Sequence, residues 1–116
     1  MNAQELIERN KQFAIECVKL AETLPDTGLG NHIRKQLISC STSVASNYRA
    51  TRLAQSSASF IAKLSIVIEE ADESEFWIDF GMAFNLFHPE TAKKLMKEAH
   101  ELASIYIATR NTMRRK

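Results

Sequence analysis

Apolar residues recur at steps of three and four along nearly the whole chain, in long runs separated by short polar breaks, and this spacing leaves few architectures open. Leu6, Phe13 and Leu20 interleave with Asn10, Cys17 and Leu24 as one stripe of a helix over about residues 3–24. Pro25 stops it, and PDTGLGN supplies a break. Ile33, Leu37, Cys40 and Val44, continuing to Asn47 and Thr51, predict a second helix over about residues 30–54. Ser56 or Ser57 then offers an N-cap for a third stripe of Phe60, Leu64, Val67, Ala71, Ser74, Ile78 and Gly81. His88-Pro89-Glu90 fits a cap, a proline at the first helical position and an acid in the first turn. Leu95, Ala99, Leu102, Tyr106 and Met113 carry that fourth helix nearly to Lys116.

Only 3 Gly and 2 Pro among 116 residues leave little turn material for a sandwich or barrel, and the length suits one domain spanning 1–116. At 1.5 Å per residue the helices are roughly 33 to 45 Å long, and their short connections force antiparallel neighbours. The expected fold is all-α, an antiparallel up-and-down four-helix bundle. Its core should hold Leu6, Phe13, Leu20, Leu37, Val44, Leu64, Val67, Leu95, Leu102 and Tyr106.

The patterns that would mark an enzyme are missing from the sequence. Ser39, Ser41, Ser43 and Ser46 lie within a helical run without a nucleophile elbow, and Cys17 and Cys40 have no neighbouring His base. His32, His88 and His100 join no Glu-x-x-His pair, so the carboxylates of Glu69, Glu70, Asp72, Glu73, Glu75 and Asp79 read as a solvated face rather than a metal site. No phosphate-binding glycine loop or zinc spacing occurs either. A non-enzymatic protein with no cofactor is expected. Two cysteines are too few for a disulfide scaffold and read as reduced, buried thiols. The apolar runs are too short to span a bilayer, and the opening MNAQELIERNKQF is charged and amphipathic rather than a signal peptide, so a cytoplasmic protein with no membrane partner is expected.

Several bulky aliphatics fall off the main stripes: Ile15 and Val18, then Ile61, Ile66 and Ile68, then Ile105 and Ile107. Recurring on more than one helix, they ask for a second interface and so for a homo-oligomer. Phe76, Trp77, Phe80, Met82, Phe84 and Phe87, at helical spacing, read as core and interface rather than a ligand pocket.

Residues 42–77 carry Thr42-Ser43-Val44, Asn47-Tyr48-Arg49-Ala50, Ser56, Phe60-Ile61-x-Lys63-Leu64 and Glu69-Glu70-Ala71-Asp72-Glu73. With Phe13 and Leu24-Pro25, these runs resemble the four-helix-bundle family named for proteins encoded in intervening sequences of bacterial 23S rRNA. The resemblance implies a left-handed up-and-down bundle assembling as a homopentamer. Related accessory proteins of diversity-generating retroelements are similar in fold, are basic, and work with a reverse transcriptase and nucleic acid. In place of residues that are often charged in the family, this chain has Leu53, Gln55, Ser57 and Ser59, which thins the basic surface the resemblance implies.

A formal net charge of +1 says nothing about partners, but its distribution does. Residues 27–68 carry five basic groups and no acid, whereas 69–79 carry six acids and no base. In an up-and-down bundle the end of the second helix, the start of the third and the end of the fourth share one pole. That pole should collect Arg49, Arg52, Lys63, Arg110, Arg114, Arg115 and Lys116, with Arg9 close by and Tyr48 as the aromatic for base stacking. Weak, sequence-nonspecific RNA or DNA binding through phosphates is the expectation, and a scaffold with only protein partners is the alternative.

Overall fold

A computed structural model describes residues 1–116 as four helices, α1 (Ala3–Ala21), α2 (Gly28–Ala50), α3 (Ser57–Ala83) and α4 (Pro89–Arg114), with a 3₁₀ turn at Thr51–Leu53. Successive helices are antiparallel neighbours, and α4 returns beside α1 over a shorter contact. The bundle measures 47 × 22 × 20 Å. The all-α, up-and-down reading of the sequence therefore holds.

Side chains close three of the helix starts. The Asn2 side chain accepts from the Glu5 amide, Thr27 Oγ1 from the Gly30 amide and Ser56 Oγ from the Ser59 amide, at 2.8, 3.0 and 3.0 Å. Each oxygen satisfies a donor that the first helical turn leaves unpaired. His88 occupies the fourth cap position without such a bond, and Pro89 begins α4. Helix α1 ends before the expected Leu24 because the chain tightens into i→i−3 bonds, Thr23 N to Leu20 O and Leu24 N to Ala21 O, ahead of Pro25. Helix α2 starts earlier than expected, since Thr27 caps it and Gly28 is already helical.

Helix α3 ends in a Schellman turn. Asn85 takes a left-handed φ of 56°, its amide bonds Met82 O, and the Leu86 amide bonds Gly81 O. The turn folds Phe87 back onto the helix, where a Cβ on Gly81 would collide with Phe87 Cε2. Gly81 thus lets an aromatic ring seal this end of the bundle.

Every residue assigned to the core from the sequence is buried, in one continuous cluster running from Leu6 and Tyr48 at one end to Leu24 and Phe87 at the other. Four polar side chains join it: Asn10, Ser41, Thr51 and Ser74. Thr51 Oγ1 and Ser74 Oγ donate back to the carbonyls of Tyr48 and Glu70 at 2.6 and 2.8 Å, so their hydroxyls are satisfied within their own chain segments.

Candidate nucleic-acid interface

The end of α2, the 3₁₀ turn, the start of α3 and the end of α4 meet at one pole of the bundle, as the topology requires. Arg49, Arg52, Arg114, Arg115 and Lys116 are exposed there. The last three also lie at the C-terminal end of α4, where a cation is favoured by the helix dipole.

Two of the nominated residues are held more closely. Lys63 is half-buried, and so is Arg110, whose Nη1 donates to Ser65 Oγ at 3.2 Å while its buried Nε has no protein partner. Arg110 therefore clips α4 to α3 and presents only part of its guanidinium to solvent.

Tyr48 does not belong to the surface at all. It is 5% exposed and its ring stacks on Tyr106 at 4.8 Å between centroids. The expectation that it stacks on a base is overturned: the inward stripe of α2 runs Leu37, Val44, Tyr48 and Thr51, with Asn47 rotated to the half-buried edge. Spacing alone carries that signal, since Tyr48 stands four residues after Val44 and three before Thr51.

Arg9 is not a free cation of the pole either. Its Nε and Nη2 donate to the two Glu98 carboxylate oxygens at 2.8 and 2.7 Å, and Nη2 reaches Glu101 at 3.1 Å. This bidentate clamp ties α1 to α4, and the Glu98 hydrogen bonds push the Arg9 pKa upward. No sequence pattern links residues so far apart along the chain.

The acidic stretch occupies the other half of α3. Glu73 accepts from Trp77 Nε1 at 3.4 Å, Glu75 lies 3.7 Å from His100, and burial followed by the Glu73 and Glu69 charges raises the pKa of Glu70. On the outer side of this stretch Phe76 and Phe84 are each 51% exposed, bridged by the half-buried Phe80. Phe87 alone of the aromatic group is in the core. Among the off-stripe aliphatics, Ile15, Ile66 and Ile107 are exposed, while Val18, Ile61, Ile68 and Ile105 are half-buried.

No helix is long and apolar enough to cross a membrane. Fold and surface together define a class of protein: an all-α bundle with a cationic pole, an acidic flank and exposed apolar residues. The chain belongs to the 23S rRNA-intervening sequence protein family, whose profile matches residues 3–108. It is also similar to a protein of unknown function from the S23 ribosomal protein family of Bacteroides thetaiotaomicron VPI-5482, solved at 1.70 Å resolution. The two are 25% identical, superpose with a TM-score of 0.84, and the match covers 96% of this chain and 99% of that one. No curated protein matches.

Proposed function

We propose that this protein is a non-enzymatic accessory protein that self-associates and holds nucleic acid by its phosphate backbone against the basic pole. The supporting observation is the concentration of exposed Arg49, Arg52, Arg114, Arg115 and Lys116 at one end, beside a 27–68 segment with no acidic residue. A C-terminal helix end with exposed cations is a common surface feature; its convergence with the α2–α3 connection distinguishes this one. By family resemblance the assembly is a ring, a homopentamer. In a cyclic ring every basic pole points the same way, which multiplies a modest patch into a field that attracts polyanions. With Tyr48 buried, the pole lacks the aromatic expected to stack on bases, and the binding is by charge and indifferent to sequence. The protein works in the cytoplasm in this reading, in keeping with two free, buried cysteines.

A scaffold that binds only protein is the second reading, favoured by the exposed aromatic edge of Phe76 and Phe84.

Fluorescence anisotropy with a short labelled RNA stem-loop and a random-sequence DNA duplex separates the two. The logarithm of the binding constant should fall steeply and linearly with the logarithm of salt concentration. The variant Arg52→Ala/Arg114→Ala/Arg115→Ala should lower that slope by about 1 for each phosphate it no longer neutralises. Absence of binding at low salt by the assembled wild-type protein would overturn the nucleic-acid reading and leave the scaffold.

A further inference from the structure

A shallow groove of about 790 Å³ runs along the outer seam of α1 and α2. Ile7, Ile15 and Val18 form its apolar floor, and Lys11, Lys19 and Arg49 rim it against a single acid, Glu8. Ile15 is 38% exposed, an unusual position for a β-branched residue between two cations. The outer face of α3 has the opposite character: Ile66 is 43% and Phe76 51% exposed, and the acids Glu69 and Glu73 lie between them. No basic residue interrupts that segment.

The two faces also agree in height. Cys17 of α1 lies beside Cys40 of α2, and Cys40 Sγ lies 3.3 Å from Ser74 Oγ of α3, so these three residues mark one level of the core. Helices α1 and α3 run in the same direction from the same pole. Counted from the shared level, Ile66 stands level with Arg9 and Phe76 with Lys19. Glu69 and Glu73 then fall within a helical turn of the levels of Lys11 and Lys19.

Resting on the reading that the protein self-associates, we propose that the occupant of the α1–α2 groove is the outer face of α3 from a second copy of this chain. Side by side and pointing the same way, one copy lays Ile66 and Phe76 over the apolar floor of the next. Glu69 and Glu73 meet Lys11 and Lys19 along the rim. Lys19 is available for this, being 70% exposed with only a 3.6 Å contact to Glu16 in its own chain. The contact joins two different surfaces, so each copy keeps a free groove at one side and a free α3 face at the other. Repetition of such a head-to-tail contact closes into a ring when the rotation at each step divides a full turn. All basic poles emerge on one rim of it.

Charge reversal tests the pairing by sedimentation equilibrium at low salt, on wild type and on variants whose folding is verified by circular dichroism. Lys11→Glu/Lys19→Glu and Glu69→Lys/Glu73→Lys should each raise the subunit dissociation constant by on the order of a hundredfold, since each sets like charges across the contact. The chain carrying all four changes should reassemble, because its groove and its α3 face are again opposite in charge. Wild-type assembly that survives both double variants, or four changes that fail to restore it, would overturn this pairing while leaving self-association standing. A monomeric wild type would overturn both.

Discussion

Asn10 of α1 donates its side-chain amide to the Tyr106 hydroxyl of α4 in the centre of the bundle. The same amide donates to Leu6 O at 2.6 Å, and both residues are essentially inaccessible. One polar pair at a single height makes other alignments of α1 against α4 costly, because a slip of one turn would strand an amide and a hydroxyl among aliphatic groups. With the Arg9 clamp on Glu98 a residue away, it fixes the register of the seam where the bundle packs least.

Tyr106→Phe should therefore destabilise the protein by about 1–3 kcal/mol, because it leaves the Asn10 amide short of a partner in the core. Asn10→Leu combined with Tyr106→Phe should recover part of that loss, the Asn10 Oδ1 being already unpartnered. Urea denaturation of the two single variants and the pair gives the coupling directly. Additive costs would show that the bond does not set the seam.

Gly81→Ala should lower stability by about 1–3 kcal/mol through overpacking, because the new Cβ drives into the Phe87 ring. The sign is the diagnostic part: at an ordinary helical position the same change stabilises by about 1 kcal/mol. A melting temperature that rises would mean that Phe87 does not close this end of the bundle.

The helices and their inward stripes are legible in the sequence because a bundle core is set by local spacing, and Leu6 through Tyr106 read inward on that basis alone. The same rule misleads at Tyr48. One residue is a 100° turn of the helix, so placing Asn47 on the stripe turns Tyr48 toward solvent. Arg9 meets a different limit: its partners Glu98 and Glu101 come from the far end of the chain, and only the folded bundle brings them together. The basic pole is legible from topology and charge order, yet the engagement of Arg110 by Ser65 depends on the packing itself.

Burial of the two cysteines makes stability depend on pH. It pushes the Cys40 thiol up to about 11 and Cys17 further in the same direction. Unfolded thiols ionise near pH 8.5, while the folded ones stay protonated. The contribution of the thiols should thus be constant below that pH. Above it, the fall should be about 1.4 kcal/mol per pH unit for each thiol ionised only when unfolded. Neither thiol should react with a disulfide reagent at pH 8 until denaturant is added. Urea midpoints between pH 7 and 10, compared with Cys17→Ala/Cys40→Ala, check the slope, and a variant with the same alkaline loss would refute the assignment.

Leu64→Ala and Leu102→Ala probe the same core from α3 and α4, where both side chains are fully buried. Each should cost about 2–5 kcal/mol in chemical denaturation, the range for leucines whose neighbours cannot collapse into the gap. Unchanged stability in either variant would contradict its place in the core.

Self-association joins the groove, the α3 face and the basic pole into one account, and light scattering measures it without any assumption about partners. The molar mass of the purified protein, taken across a dilution series at low salt, should be a fixed multiple of the 13.1 kDa chain, fivefold for the ring implied by resemblance. A concentration-independent mass of 13.1 kDa would contradict the account, since a monomer has neither a filled groove nor a ring of aligned poles.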